Sequence, residues 1–231
     1  MLTIITLFLV GCSPSSWETE GEHPTPHPSL APTASNRQES DKSMEDEKGE
    51  GEGQRDIQND LEASQEDELF FQEPERAPKK VLVEVYKGRR ILELYGDGIL
   101  MGRFRISLGK APEGTKEREG DHKTPEGDYY VCTRNPQSAY YLSLGLSYPN
   151  VKDAERGLEA GLIDEDTYKQ IKEAQEKMEM PPWYTPLGGE ICIHGGGIEG
   201  DWTEGCIAVD NEVMDILWKY ISLKTPVRIR K

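Results

Sequence analysis

The chain has 231 residues and a formal net charge of −16, from 43 acidic and 27 basic side chains. Residues 13–77 hold 18 of the acidic and 5 of the basic side chains, whereas residues 78–231 are nearly balanced, with 25 acidic and 22 basic. Neither part has the basic surplus that binding to nucleic acid requires, so we expect no nucleic-acid partner.

The chain opens with the apolar stretch MLTIITLFLV, followed by Gly11 and Cys12. This stretch is shorter than the ~20 apolar residues that span a bilayer and has the length of a signal-peptide h-region, although no Lys or Arg precedes it. Leu9-Val10-Gly11-Cys12 resembles the lipobox of bacterial lipoproteins. The resemblance implies a signal peptide over residues 1–11 and a lipid on Cys12, and therefore an exported cell-envelope protein anchored to a membrane, facing the periplasm or the wall. The alternative is an apolar N terminus with a chance cysteine.

Residues 12–77 are rich in Pro, Ser, Glu and Gly and contain few large apolar side chains. Such a composition cannot bury enough apolar surface to offset the entropy of ordering the chain. We therefore predict a disordered acidic linker over residues 12–77. The remaining residues, 78–231, are numerous enough to bury one core and are predicted to form one folded domain.

From residue 78 onward, short segments of alternating apolar and polar residues are separated by turn signals. Val81, Val83 and Val85 alternate with more polar neighbours, and the Gly-Asp-Gly at 96–98 is typical of a hairpin turn. Further strand-like segments are GDYYVCTR, GGEICIHG and TPVRIRK. This spacing predicts a mostly β domain with the architecture of a sandwich or barrel.

Two stretches of this domain are helical in pattern. Residues 152–180 predict a helical insertion, made of two helices that are broken at Gly161. Residues 211–221 place apolar side chains from Val213 to Tyr220 at helical spacing, which predicts an amphipathic helix.

The segment CIHGGGIEGDWTEGC, residues 192–206, combines a histidine and two cysteines with a cluster of glycines. Acyl transfer by a cysteine needs an exposed thiolate, a nearby imidazolium and backbone N–H groups directed at the oxyanion. Cys206 fits these needs best, because it follows Gly205 and leads into a helix, while His194 ends the strand before the glycines. By spacing alone, a structural Cys–His pair is an equal alternative.

Other interpretations of this segment stay open. Cys192 shares a strand face with His194 and is the rival nucleophile, although its isoleucine neighbours favour a core position. Cys132 is expected to be structural, and a Cys132–Cys192 disulfide is compatible with an exported protein. No familiar zinc spacing is present, so we expect no metal and no other cofactor. The ligands of a metal site would be Cys192, His194, Asp201, Glu204 and Cys206.

Residues 80–231 resemble the catalytic domain of bacterial L,D-transpeptidases. The segments that carry the resemblance include PLGGEICIHGGG and DWTEGCIAVDNEVMDILW. The shared motif is a histidine on a strand, a short loop and then Ser/Thr-x-Gly-Cys, here His194 followed by Thr203-Glu204-Gly205-Cys206. In better-known members, the residue before Gly-Cys is histidine and the loop is longer.

The resemblance implies a peptidoglycan transpeptidase with Cys206 as the nucleophile and His194 as the general base. The backbone carbonyl of Gly195 would orient the imidazole, and the N–H groups of Gly205 and Cys206 would form the oxyanion hole. The substrate would be a stem tetrapeptide, cleaved before its terminal D-alanine, with the acyl group passed to an amine. The alternatives are hydrolysis of the same acyl-enzyme, by an L,D-carboxypeptidase or amidase, and a non-catalytic wall-binding lipoprotein.

Four residues are candidate substrate contacts. Trp183 and Tyr184 follow two prolines and form either the edge of a lid or part of the core. Tyr141 lines the groove or is a plain strand residue, and Thr203 belongs to the motif. Glu204 is expected to point away from the nucleophile into a salt bridge or a helix cap, since neighbours on an extended chain face opposite sides. The expected partners are peptidoglycan stem peptides and the membrane, the acceptor amine belongs to a neighbouring stem or to a protein, and the protein is predicted to be a monomer.

Overall fold

A computed structural model of the protein describes residues 68–231, which contain nine strands and three helices. The strands are β1 (Phe70–Phe71), β2 (Val81–Tyr86), β3 (Ile91–Gly96), β4 (Ile99–Arg105), β5 (Gly127–Ser138), β6 (Tyr141–Leu146), β7 (Cys192–His194), β8 (Ile207–Ala208) and β9 (Pro226–Arg230). The helices are α1 (Val151–Glu159), α2 (Glu165–Lys177) and α3 (Asn211–Tyr220). The predicted mostly β fold, with a helical insertion and a helix after Cys206, is confirmed. The proposed signal peptide and Cys12 lie outside the described residues.

The folded domain begins earlier than predicted. Strand β1 pairs antiparallel with β4, and the Phe71 ring packs against Phe104 and Tyr220 with centroids 6.3 and 6.0 Å apart. The linker prediction over 12–77 is therefore wrong in its last part. Phe71 packs against the core, and this contact together with the pairing to β4 holds an otherwise acidic segment on the sheet. The earlier part, 12–67, lies outside the described residues.

The nine strands form one sheet in the order β1-β4-β3-β2-β9-β5-β6-β7-β8. Neighbouring strands are antiparallel, except for the parallel pairs β2 with β9 and β7 with β8. Val83 and Val85 on β2 and Val227 on β9 are fully buried, whereas Glu84 and Arg228 between them form an ion pair on the other face. This alternation sets the register, because a slip of one residue would expose the buried valines.

Strand β5 gives the sheet its curvature. It is twelve residues long, and its first residues pair with β9 while its later residues pair with β6. One strand therefore joins two halves of the sheet, which curls into a half-barrel. The main core fills this curl, and α3 packs into it with Met214 and Leu217 fully buried.

Helices α1 and α2 form a separate small core with the chain that follows them. Ala154, Ile171 and Leu187 are buried there. The break between the two helices falls at Gly161, which has a φ of +68°. The prediction of two helices is therefore confirmed. Within residues 68–231, no helix is long and apolar enough to cross a membrane.

Strand β7 positions the candidate site. It pairs with β6 on one side and with β8 on the other, with Ile193 opposite Ile207. Because β7 and β8 are parallel, this register sets Cys192 beside Cys206, the residue just before β8. The chain from His194 to Cys206 is thus a return loop that places both reactive groups on adjacent strands.

Candidate active site

Hydrogen-bonding groups from β7 and the residues before it surround the Cys206 sulfur. The Cys192 backbone N–H donates to Sγ at 3.3 Å, and the Glu190 carbonyl oxygen lies 3.5 Å from Sγ. The Cys192 thiol and the His194 imidazole also hydrogen-bond this sulfur and, against the effect of burial, hold the pKa of Cys206 well below its ordinary value. Donors that converge on a sulfur stabilise its thiolate, so the groups that donate to Cys206 favour the form that acts as a nucleophile.

The pKa values of the other two thiols of the domain, Cys192 and Cys132, are raised rather than lowered. Hydrogen bonding to Cys206 and burial raise the pKa of Cys192 far above its ordinary value, while burial raises the pKa of Cys132 to about 12. Cys192 and Cys206 compete for one negative charge, and only Cys206 receives both a backbone N–H and an imidazole. Cys132 and Cys192 are free thiols, so the disulfide considered from the sequence is not formed.

The imidazole of His194 is held on three sides. Its Nδ1 donates to the Gly195 carbonyl oxygen at 2.6 Å, which leaves Nε2 for the Cys206 sulfur. The Tyr140 ring stacks on it, with centroids 4.8 Å apart and 26° between the planes, and Trp202 approaches it edge-on at 5.6 Å. Burial lowers the pKa of His194, but the hydrogen bonds to Cys206 and Gly195 outweigh this and raise it. The arrangement therefore favours a thiolate–imidazolium pair.

The Thr203 side chain locks the turn before Cys206. Its hydroxyl donates to the Cys206 carbonyl oxygen at 2.7 Å and accepts from the Gly205 N–H at 3.1 Å. Thr203 is only 3% exposed, which gives it a structural part in the turn rather than the expected substrate contact. Gly205 has a φ of +133°, and a Cβ there would lie 2.8 Å from the Lys123 carbonyl oxygen, so no other residue fits this position.

The loop between β7 and β8 is braced from a distant part of the chain. Asp201 accepts from Arg90 Nη2 at 2.7 Å and from the Leu108 backbone N–H at 2.9 Å. Trp202 Nε1 donates to a loop carbonyl at 3.2 Å, which holds the Trp202 ring beside the imidazole. Arg90 lies 111 residues before its partner, so the local sequence gives no signal for this brace. Among residues 68–231, no group of three or more His, Cys, Asp or Glu side chains could hold a metal ion.

Glu204 takes part in the salt bridge expected from the sequence. Its side chain is 61% exposed and forms ion pairs with Lys110 and His122. The hydrogen bond from Lys110 and the charge of His122 lower the pKa of this carboxyl below its ordinary value. The alternative role, a cap on α3, is not used, because the residue that precedes α3 is Asp210.

Tyr184 is the most exposed of the predicted substrate contacts. Its side chain is 88% exposed, and its hydroxyl donates to Glu190 Oε1 at 3.1 Å. The carbonyl of the same Glu190 faces the Cys206 sulfur. One residue therefore links Tyr184 to the wall of the site.

Trp183 is half-buried and Tyr141 is 44% exposed, and both have contacts within the fold. Trp183 fills space that two glycines leave, since a Cβ on Gly145 or Gly189 would lie 2.9 or 2.3 Å from its side chain. Tyr141 donates through its hydroxyl to Asp215 on α3 at 2.9 Å. These contacts fit the alternatives given by the sequence, which were a core position for Trp183 and a plain strand residue for Tyr141.

The stack on His194 gives a prediction that does not depend on any substrate. Tyr140→Ala should slow alkylation of Cys206 by iodoacetamide at neutral pH by roughly three- to tenfold, since an aromatic pair contributes about 0.5–1.5 kcal/mol. Tyr140→Phe keeps the ring and should react like the parent. The measurement is the alkylation rate as a function of pH. Equal rates for the parent and both variants would show that the stack does not position the imidazole.

A model of a known protein family matches most of the described residues. The family model of the L,D-transpeptidase catalytic domain (YkuD) matches residues 80–229. The chain therefore belongs to the L,D-transpeptidase catalytic-domain family, as the sequence resemblance predicted. It is also similar to a protein of Escherichia coli (strain K12) that is named Putative L,D-transpeptidase YafK. The two sequences are 26% identical over 149 residues. That match covers 62% of this chain and 47% of YafK, so the chain spans about half the length of the curated relatives it matches.

Solved structures with a similar chain path come from other bacteria. The helical cell shape determining protein Pgp2 of Campylobacter jejuni (K307A mutant) is 24% identical, covering 71% of this chain and 49% of that one, with a TM-score of 0.47. Bd1075 of Bdellovibrio bacteriovorus is 22% identical, covering 71% and 54%, with a TM-score of 0.44.

Proposed function

We propose that this protein is a peptidoglycan L,D-transpeptidase that uses Cys206 as its nucleophile. It would cleave the bond before the terminal D-alanine of a stem tetrapeptide and pass the acyl group to an amine. The observation that supports this most is the Cys206–His194 pair. Against burial, hydrogen bonds from Cys192 and His194 lower the pKa of the thiol, and hydrogen bonds to Cys206 and Gly195 raise the pKa of the imidazole. Membership of the L,D-transpeptidase family supplies the class of reaction.

In the first half of the proposed reaction, the Cys206 thiolate attacks the carbonyl carbon that joins the third residue to D-alanine. The tetrahedral intermediate collapses when the imidazolium of His194 gives its proton to the leaving nitrogen. D-alanine leaves as a free amine, and the peptide remains on Cys206 as a thioester. The Gly195 carbonyl keeps the proton on Nδ1 throughout, so that Nε2 performs each transfer.

In the second half, the neutral imidazole of His194 accepts a proton from the attacking amine. The amine nitrogen forms an amide with the acyl carbon, and the Cys206 thiolate is released. Water in place of the amine would give a tripeptide with a free carboxylate, which is the reaction of a carboxypeptidase or amidase. The thiolate–imidazolium pair is restored in either case.

The oxyanion of this intermediate needs backbone donors. The Gly205 N–H already donates to the Thr203 hydroxyl, so one of the two donors predicted from the sequence is engaged in the turn. We therefore propose the Cys206 N–H as the principal donor. The Gly205 N–H would join it only if its bond to Thr203 opens.

Mass analysis of peptidoglycan fragments tests the proposed function. Purified domain is incubated with disaccharide tetrapeptides, with and without an added D-amino acid as acceptor amine. Loss of D-alanine with gain of the acceptor supports transfer, whereas loss of D-alanine alone indicates hydrolysis. Tetrapeptides that are bound but stay intact under both conditions would point to the non-catalytic wall-binding protein.

We further propose that the protein is exported and held on a membrane by a lipid on Cys12, because Leu9-Val10-Gly11-Cys12 matches a lipobox. Cys12→Ala should therefore move the protein from the membrane fraction to the soluble fraction. Cys132→Ala is the matched control and should stay with membranes. The measurement is immunoblotting of fractionated cells, and a Cys12→Ala variant that partitions like the parent would contradict the anchor.

A further inference from the structure

Two basic side chains close on the carboxylate of Glu204, two residues before the nucleophile. Lys110 Nζ binds Oε1 of Glu204, and His122 Nδ1 binds Oε2 of the same carboxylate. The spacing of Lys110 and His122 therefore fits the two oxygens of a single carboxylate. These two residues are called the basic pair below.

The backbone of the basic pair is tied to the turn that carries Cys206. The Lys110 N–H donates to the Thr203 carbonyl oxygen at 3.0 Å, and the Ala111 N–H donates to the His122 carbonyl oxygen at 3.1 Å. These bonds fix the backbone of the basic pair against the turn that carries Cys206, and they do not depend on what the two side chains bind.

The side chains of this cluster are open to solvent. About half of each is exposed: 53% for Lys110, 47% for His122 and 61% for Glu204. Exposed ion pairs contribute little to stability, because water competes for both partners. The turn itself is already held by the Thr203 hydroxyl. Glu204 is thus a resident carboxylate that a second carboxylate can displace at little cost.

We propose that the basic pair is a carboxylate subsite. Glu204 fills it in the free protein, and the free C-terminal carboxylate of the peptide substrate fills it in the complex. This inference rests on the proposed function, which puts a single residue, D-alanine, between the attacked carbonyl and the chain end. One residue spans only about 3.5 Å, so that carboxylate must lie close to Cys206 and its turn. Without the basic pair, Glu204 would repel it.

The test is a binding measurement in the Cys206→Ala background, which cannot turn the peptide over. A synthetic stem tetrapeptide and its C-terminal carboxamide are titrated into the protein by calorimetry. We expect the acid to bind roughly tenfold or more tightly than the amide, as charge-assisted hydrogen bonds allow. Lys110→Gln and His122→Gln should each remove most of this preference and leave binding of the amide unchanged.

Glu204→Gln should have an effect of the opposite sign. Removing the internal competitor should tighten binding of the acid by roughly two- to fivefold, because more of the free protein is then competent to bind. Binding of the amide should stay the same. Lys169→Gln, on the exposed side of α2, is the matched control and should change neither affinity. A surface ion pair that only supports the fold would not produce this pattern.

Three results would contradict the inference in distinguishable ways. Equal binding of the acid and the amide overturns the carboxylate subsite and leaves the proposed function standing. A preference that follows a carboxylate on the side chain of the third residue, measured with peptides that carry or lack it, overturns the assignment to the chain end. Binding of neither peptide overturns the proposed substrate, and this inference with it.

Discussion

Cys206→Ser should abolish the release of D-alanine from a stem tetrapeptide. The hydrogen bonds around this position lower the pKa of a thiol and favour its thiolate, whereas a serine hydroxyl ionises at much higher pH and stays neutral. The measurement is D-alanine released per enzyme over time. We expect the rate of the variant to fall to the background of the assay.

Cys192→Ser is the matched control for this prediction. Cys192 supports the Cys206 sulfur through its backbone N–H at 3.3 Å, which the substitution keeps, and through a side-chain hydrogen bond that a hydroxyl can also donate. Turnover should therefore stay within a few-fold of the parent. Turnover that survives in Cys206→Ser and is lost in Cys192→Ser would move the chemistry to the other thiol.

His194→Ala should slow acylation by roughly 10²- to 10⁴-fold, the usual contribution of a positioned acid or base. Two effects combine in this loss. The Cys206 thiol loses an imidazole that lowers its pKa, and the leaving nitrogen loses its proton donor. The measurement is the rate of acyl-enzyme formation under single-turnover conditions. A loss of less than tenfold in a variant with an unchanged circular dichroism spectrum would contradict the role of His194.

The roles of Cys206 and His194 also predict how the rate of acylation changes with pH. In the parent, the reactive pair exists above the lowered pKa of Cys206 and below the raised pKa of His194. Acylation should therefore decline as pH falls through the first and as pH rises through the second. In His194→Ala the alkaline decline should disappear. The acid decline should move to higher pH, because the thiol has lost a hydrogen bond to its ionised form.

Much of the fold could be predicted because its signals are local. The alternation of Val83 and Val85 marks a strand, and Gly161 marks the break between two helices, without reference to the rest of the chain. The closeness of His194 and Cys206 was also predictable, since a short loop between two strands leaves few arrangements for their ends. The parallel pairing of β7 with β8 that produces this closeness had no local signal.

Contacts between residues that are far apart in the sequence could not be predicted. Tyr140 stacks on His194 from the turn before β6, and a stack of this kind depends on tertiary packing rather than on spacing. Arg90 braces the loop from the turn before β3 for the same reason. For Thr203, a motif residue beside the nucleophile is equally suited to touch substrate or to lock the turn, and the burial that favours the turn depends on tertiary packing. Phe71 was hidden by the acidic composition around it.

The most direct test of the central claim is to map the acyl group on the parent protein. The protein is mixed with a stem tetrapeptide, quenched within one turnover and digested, and the peptides are identified by mass. We predict one acyl group, equal to the tetrapeptide less D-alanine, on the peptide that contains Cys206. An acyl group on Cys192, or intact tetrapeptide with no acylated protein at any quench time, would contradict the account.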